Sequence, residues 1–265
     1  MDAVEFLGLR HHEDGSFSLS VTDRLVTPGR FLFGGCGLGA AVAALEIATG
    51  RPCAWATAQY LSYAPLDSEV RITTDLAVEG QRVTQARATL AVEDRDVVTV
   101  MAAFGHGELD APPWMEMPSV PAPEECPRRD LPDWYRQSIF EHVETRVARG
   151  RRFHEIDGSP GSPRSALWAR IPEHLSPSAA TLAIVGDLVS GGATEPLGRR
   201  TRGRSLDNTV RVATLAPTEW ILVDIHMHAL VGGFGQGTAF LWSQDGVLLG
   251  TASQTIVARV WRDQP

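Results

Sequence analysis

Asp187 is the residue of this chain whose type and surroundings most favour chemistry. It is the only charged residue between Ser176 and Ala193, where serines precede and glycines follow a run that predicts a helix. The residues three and four positions away on that helix are small or apolar, so the carboxylate must find hydrogen-bond partners or become protonated. Burial raises the pKa of such a group, which can then accept a proton from water. A structural carboxylate that binds loop amides is the alternative.

Signatures of other chemistries are missing from the sequence. Five histidines are candidate metal ligands: His11, His12, His106, His226 and His228. They form no H-x-x-x-H or H-E-x-x-H arrangement, so no catalytic metal is expected. The chain has no G-x-S-x-G motif, which argues against a nucleophile elbow. Its three cysteines are far apart and lack C-x-x-C spacing, so we expect free thiols.

The glycine-rich stretch "RFLFGGCGLGAAVAALEIATG" has two interpretations. Its glycines fit a loose G-x-G-x-x-A nucleotide-binding pattern, but the strand before them is short and Glu46 comes too soon to bind a ribose. The run from Phe31 to Leu45 carries no charge and is rich in alanine and leucine. It therefore favours a buried helix, whose small residues let the surrounding sheet approach closely.

Two similar halves contain these residues. In each half a helix is followed by several strands, and the second half repeats the first at an offset of roughly 152 residues. For example, "APLDSEVRI" around Pro65 parallels "APTEWILV" around Pro217. The pattern predicts an α+β protein with units at 1–110 and 151–265, whose sheets join as an internal pseudo-dimer. The proline-rich segment 111–150 predicts an extended connection that contains a short helix.

The composition limits the partners of the protein. The formal net charge is −8 and every basic residue apart from histidine is arginine, which disfavours nucleic acid as a partner. No apolar run is long enough to span a bilayer, and the N-terminal residues lack the pattern of a secretory signal. We therefore expect a cytoplasmic protein that binds neither nucleic acid nor a membrane. A homodimer of the whole chain is compatible with the sequence.

Six short motifs, in this order and spacing, resemble those of one family. They are "FGG" at Phe33 to Gly35, "ALWAR" at Ala166 to Arg170, "GDL" at Gly186 to Leu188, "SLD" at Ser205 to Asp207, "EWILVD" at Glu219 to Asp224 and "DGVLLGTASQ" at Asp245 to Gln254. Together with the repeated helix and strands, they resemble the double hotdog acyl-CoA thioesterases of the medium-chain thioesterase II group. The resemblance covers nearly the whole chain. It implies two tandem hotdog folds, each a long central helix wrapped by an antiparallel β-sheet, and a role in fatty acid metabolism.

The resemblance also implies which residues act. Asp187, Ser205 and Gln254 would position the water that attacks the thioester carbonyl, and their side chains suit this role because each can exchange hydrogen bonds with water. On sequence alone, Gln254 could instead satisfy a buried backbone group and Ser205 could lie in a loop. Backbone N–H groups at a helix N-terminus would polarise the carbonyl, and Gly34 and Gly35 are the candidates. No cofactor is expected, since coenzyme A is part of the substrate.

Further residues are candidates for substrate binding. Arg202 and Arg204 stand just before Ser205 and could meet the phosphates of coenzyme A, although a solvated loop is the alternative. Gln59 occupies a position where the family often has a histidine, and Asn208 stands where a second histidine is expected. The change at Asn208 suggests an altered acyl pocket.

Three functional hypotheses follow. The first is hydrolysis of an acyl-CoA thioester by a positioned water, without a covalent enzyme intermediate. The second is a specialised hotdog enzyme, of dehydratase or hydratase type, that acts on a thioester or polyketide-like ligand. It is disfavoured because neither central helix carries a histidine. The third is a non-catalytic module that binds acyl ligands.

Overall fold

The computed structural model describes residues 1–111, 114–171 and 175–261. The first half contains α1 (Ala3–Leu7), β1 (Arg10–His11), β2 (Phe17–Ser20), α2 (Gly34–Thr49), β3 (Cys53–Tyr60), β4 (Glu69–Glu79), β5 (Val83–Val92) and β6 (Arg95–Gly105). The second half contains α3 (Ile139–His142), β7 (Glu144–Arg149), β8 (Arg164–Arg170), α4 (Ala179–Gly186), α5 (Thr194–Leu197), β9 (Thr201–Ser205), β10 (Asp207–Val212), β11 (Ile221–Val231), β12 (Phe234–Ser243) and β13 (Leu248–Val260). Short 3₁₀ helices lie at Asp23–Leu25, Pro123–Glu125, Asp133–Tyr135, Phe153–Glu155 and Asp187–Ala193. Parts of the predicted connection (112–113) and of the predicted second unit (172–174 and 262–265) lie outside the described residues.

The strands of both halves form one continuous sheet. Its order is β1-β2-β4-β5-β6-β3-β10-β13-β12-β11-β8-β7, and β9 pairs with β13 beside this path. The order β2-β4-β5-β6-β3 of the first half is mirrored by β10-β13-β12-β11-β8 in the second. Because β3 pairs with β10, the two halves join their sheets as predicted, and neither half leaves that edge exposed.

An approximate two-fold axis passes through the junction of the halves. Thr57 on β3 pairs with Thr209 on β10, and their hydroxyl oxygens lie 2.7 Å apart. The two residues are 152 positions apart, which is the repeat offset read from the sequence. The central helices do not follow this offset, because the second half has additional residues, including β9, between its helix and β10.

The helix α2 is buried on all sides from Gly35 to Leu45, because α4 covers the side that the sheet leaves open, and only its last turn reaches the surface. A Cβ atom on Gly35 would lie 2.8 Å from the carbonyl oxygen of Ala183, and one on Gly39 would lie 3.0 Å from that of Ala180. These two glycines therefore admit the other helix. Gly37 is the glycine that faces the sheet. The sequence correctly predicted a buried helix, but the closest approach at its glycines is to α4.

The central helix of the second half changes character at Asp187. The Ser178 hydroxyl caps α4 by accepting a hydrogen bond from the Thr181 amide at 3.1 Å. The α-helix ends at Gly186, and Asp187–Ala193 continues as a 3₁₀ helix. The predicted α-helix is thus only half α-helical, and its carboxylate stands where the two helix types meet.

The proline-rich segment contributes to a second, smaller core. The outer face of the second half of the sheet carries three large side chains, Trp168, Trp220 and Trp242. Residues from the segment cover them, and the Trp168 indole N–H donates to the carbonyl of Pro121 at 2.9 Å. The segment was predicted to be an extended connection. Its extended part also packs over the three tryptophans, whose exposure to water would be costly. The predicted short helix is limited to α3, and β7 follows it as an edge strand.

Candidate active site

Asp187 lies at the meeting point of the two halves. Its side chain is only 3% exposed. The backbone N–H of Gly35, at the start of α2, donates to Asp187 Oδ2 at 2.7 Å, and Gln254 Nε2 donates to Asp187 Oδ1. One carboxylate from the second half is therefore held by a helix N-terminus of the first half and an amide of its own half.

The environment brings the pKa of Asp187 close to neutrality. Burial raises its pKa from 3.8 to about 7, because the charged form loses its hydration. Gln254, the Gly35 amide and the Ser205 hydroxyl each act in the opposite direction, in that order of size, since all three stabilise the charged form. A carboxylate with this pKa is ionised to a useful extent near pH 7 and can still accept a proton.

Two strands bring Ser205 and Gln254 to Asp187. Ser205 is the last residue of β9 and pairs with Ile256 on β13, so that it lies two positions from Gln254 along the neighbouring strand. Gln254 is 3% exposed, and its Oε1 has no hydrogen-bond partner among the described residues. The structure thus brings together the three side chains that were singled out from the sequence.

Gly34 and Gly35 have different positions at the N-terminus of α2. The Gly35 amide is bonded to Asp187, whereas the Gly34 amide has no acceptor within the described part of the chain. A Cβ atom on Gly34 would lie 2.9 Å from Asp187 Oδ2 and 2.9 Å from the hydroxyl oxygen of Tyr60. A side chain at this position would displace the Asp187 carboxylate or the Tyr60 ring, so glycine keeps both groups beside the start of α2.

Three candidate residues lie outside this cluster. Gln59 is exposed, because side chains alternate along β3 and its neighbours Ala58 and Tyr60 take the inner face. Arg202 and Arg204 leave β9 on the face opposite to Ser205 and are also exposed. Their guanidinium groups lie over aromatic rings, those of Trp261 and Tyr63 respectively. Their roles in substrate binding stay predictions.

Tyr60 and Asn208 lie together beside Asp187. The sequence pointed to Asn208 as a change in the acyl pocket, but it did not point to Tyr60. Burial, and then the charge of Asp187, raise the pKa of the Tyr60 phenol well above its usual value, so the phenol keeps its proton. Asn208 is completely buried beside it. Asn208 lies close enough to the Tyr60 hydroxyl to act on it as a hydrogen-bond donor, which lowers the Tyr60 pKa, but within the described ranges none of these polar atoms makes a hydrogen bond of good geometry. Each such atom costs about 1–3 kcal/mol. The two-residue alternation of β3 was the signal that could have placed Tyr60 inside.

Metal ligation is not indicated at this site. Within residues 1–111, 114–171 and 175–261, no group of three or more His, Cys, Asp or Glu side chains could hold a metal ion. His226 does pair with Asp224 at 3.0 Å, but this pair packs against Phe240 on the outer face of the sheet.

Within the described residues, no helix is long and apolar enough to cross a membrane.

Two family profiles match the chain. The acyl-CoA thioesterase N-terminal domain matches residues 22–105, and the acyl-CoA thioesterase C-terminal domain matches residues 123–258, just over half of the chain. The chain belongs to the acyl-CoA thioesterase family. A search among curated proteins returns no significant match. Membership in the family makes the protein a thioester hydrolase and implies an acyl-CoA substrate.

Solved structures similar to this thioesterase share its architecture over nearly the whole length. A thioesterase candidate from Novosphingobium aromaticivorans is 30% identical, with a TM-score of 0.83, and the match covers 94% of this chain and 97% of that one. A hot dog protein from Alicyclobacillus acidocaldarius is 19% identical, with a TM-score of 0.84 and 98% of each chain covered. The acyl-CoA thioesterase II TesB2 from Mycobacterium marinum is 18% identical, with a TM-score of 0.76, covering 99% of this thioesterase and 100% of that chain. The expected fold, two tandem hotdog units, is confirmed.

Proposed function

We propose that the protein hydrolyses acyl-CoA thioesters with a water molecule activated by Asp187. The observation that carries this proposal is the carboxylate itself, buried at the junction of the halves with a pKa of about 7. A thioester hydrolase needs a group that can remove a proton from water near neutral pH. Asp187 is such a group.

The neighbours of Asp187 fit the remaining needs of the reaction. Gln254 Oε1 has no hydrogen-bond partner in the described chain, so it can accept the second hydrogen of the water. The Ser205 hydroxyl donates its single proton to Asp187 and holds the carboxylate beside that water. The free Gly34 amide adjoins the carboxylate and can donate to the thioester carbonyl oxygen. This set orients a nucleophile and stabilises the charge that develops on the carbonyl.

The reaction proceeds in two steps without an acyl-enzyme. The water oxygen bonds to the carbonyl carbon while Asp187 takes one of its protons, and the tetrahedral intermediate carries its negative charge on the former carbonyl oxygen. That intermediate then breaks its carbon–sulfur bond. The thiolate of coenzyme A leaves and receives the proton from Asp187, and the free acid is the second product. No cofactor takes part in these steps.

Thiol release across a panel of acyl-CoA substrates tests this proposal. The panel should contain short, medium, long, branched and aromatic acyl groups. We expect measurable release of free coenzyme A from at least one class, with equal amounts of free acid. If substrates bind tightly but no member of the panel releases a thiol, the protein is instead an acyl-ligand-binding module.

The activity should also depend on pH in a way set by Asp187. Because only the ionised carboxylate accepts a proton, kcat/KM should fall about ten-fold per pH unit below pH 7 and level off above it. Initial rates from about pH 5 to about pH 9, with a pH-independent thiol assay, measure this profile. The Asp224→Asn variant, altered at a buried carboxylate on the outer face, should keep the same midpoint. A profile that is flat across neutrality in the wild type would contradict the role of Asp187.

A further inference from the structure

Unpaired polar atoms are concentrated around Asp187. In the described part of the chain, six buried side-chain nitrogen or oxygen atoms lack a hydrogen-bond partner. Four of the six belong to Tyr60, Asn208 and Gln254. Buried polar groups are nearly always paired in native proteins, so a cluster of exceptions in one place calls for a specific reason. A bound ligand that supplies the missing partners is such a reason.

The strand register places the three side chains next to one another. Asn208 pairs with Ala58 on β3, and Tyr60 lies two residues further along the same face of that strand. On the other side of β10, Thr209 pairs with Ser253 on β13. Because the two strands are antiparallel, Asn208 stands opposite Gln254. Asn208 is therefore the centre of a polar row that runs across the junction beneath Asp187.

Hydrolysis of a simple thioester does not use all of these atoms. The proposed mechanism assigns Gln254 Oε1 to the water and the Gly34 amide to the carbonyl oxygen. Asn208 has no task in it, although its amide offers both an unpaired donor and an unpaired acceptor. Asn208 is completely buried and stands opposite Gln254, so a substrate group that reaches it lies beside the water on Gln254 and away from solvent.

We propose that the acyl group of the substrate carries a hydroxyl group on its second or third carbon, and that Asn208 binds this hydroxyl with Tyr60 beside it. The inference rests on the proposed function. A hydroxyl group can donate to Asn208 Oδ1 and accept from Asn208 Nδ2, whereas a keto oxygen only accepts and a methylene group does neither. Asn208 stands opposite Gln254 on the neighbouring strand, so a group bound to Asn208 lies close to the water on Gln254 and to the reacting carbonyl, as the first carbons of the acyl chain do.

Matched substrate pairs test this inference on the wild-type protein. Thiol release should be measured for saturated acyl-CoAs of four and eight carbons and for their 2-hydroxy and 3-hydroxy analogues. We expect kcat/KM for one hydroxylated series to exceed that of its plain counterpart by at least about ten-fold, because a site built to bind a hydroxyl rejects the analogue that lacks it.

Variants at Asn208 show whether that residue binds the hydroxyl group of the substrate. The Asn208→Leu variant removes donor and acceptor at similar size, so the ratio of kcat/KM between hydroxylated and plain substrates should fall to about one or below. Its melting temperature should equal or exceed that of the wild type, since an unpaired buried amide is replaced by an apolar group. The Thr209→Val variant, on the opposite face of β10, should leave the ratio unchanged. A marked loss of thermal stability in Asn208→Leu with an unaltered ratio would mean that Asn208 is structural.

The outcomes separate this inference from the function on which it rests. If the wild type hydrolyses plain acyl-CoAs as fast as hydroxylated ones, the hydroxyacyl assignment is overturned and thioester hydrolysis stands. If no substrate of either series, nor of the wider panel, releases a thiol, both proposals fail. A hydroxyl preference that survives in Asn208→Leu would also overturn the assignment to Asn208.

Discussion

Replacing Asp187 with asparagine is expected to lower thiol release by about 10²- to 10⁴-fold, the range typical for loss of a general base. Asparagine has nearly the same shape, but it cannot accept a proton from water at neutral pH. Its Oδ1 can still accept from the Gly35 amide. Its Nδ2 can donate to Gln254 if the Gln254 amide turns over, because Gln254 Oε1 has no partner in the described chain. The variant should therefore fold with an intact site.

The same substitution should raise stability above neutral pH. The raised pKa of Asp187 means that the folded protein holds this proton more tightly than the unfolded chain does. The free energy of unfolding of the wild type therefore falls as pH rises from about 4 to about 7, by at most about 4 kcal/mol from this group. The asparagine of the Asp187→Asn variant carries no such charge. The melting temperature of this variant should exceed that of the wild type at pH 8 and approach it near pH 4.

Thermal unfolding at both pH values and thiol release at pH 8 measure these effects together. The Asp224→Asn variant is the matched control, because it removes a buried carboxylate that lies away from the site and bonds Arg149 and His226. We expect that control to retain thiol release. Turnover of Asp187→Asn within about ten-fold of the wild type would rule out Asp187 as the base.

The two halves divide the site between them in a way that explains the tandem arrangement. The first half provides Gly34, Gly35 and Tyr60, and the second half provides the carboxylate with its serine and glutamine. Neither half alone would bury Asp187, because the α2 N-terminus and β3 close the site from the other side. The pairing of β3 with β10 is thus a requirement of the chemistry as well as of the fold.

The sequence was sufficient for those features that depend on local pattern. The uncharged run from Phe31 to Leu45 predicted α2, and the isolation of Asp187 in an apolar segment predicted a buried carboxylate. The repeat offset predicted that two equivalent units join their sheets, and the Thr57–Thr209 pair lies where that offset requires. Each of these features follows from periodicity or from the cost of burying a charge.

Features that depend on contacts between distant segments were not accessible in the same way. Gln59 was selected by position in a family pattern, but the register of β3 turns Tyr60 inward instead. A shift of one residue along a strand exchanges its two faces, so the choice depends on pairing with β10, far along the chain. The packing of the proline-rich segment over Trp168 was missed for the same reason, since composition alone cannot say which surface a segment covers.

Replacing Gly35 with alanine is the second substitution with a large expected effect. The new Cβ atom would lie 2.8 Å from the carbonyl oxygen of Ala183 and 2.9 Å from Cα of Ile184. These are backbone atoms of α4, which cannot rotate out of the way as a side chain can. The two helices must therefore move apart. We expect a loss of about 1–3 kcal/mol in the free energy of unfolding, as for other overpacked positions.

The position of Gly35 makes this a test of the site and not only of packing. Separation of α2 from α4 moves the Gly35 amide away from Asp187 Oδ2, so thiol release should fall along with stability. The Gly37→Ala variant is the matched control. Its Cβ would meet only side chains at 3.5 Å or more, and alanine favours the helix, so we expect equal or higher stability and normal turnover. Denaturant unfolding and thiol release should be measured for both variants. If Gly35→Ala and Gly37→Ala show the same stability and the same turnover, close contact of the helices at Gly35 does not hold the carboxylate in place.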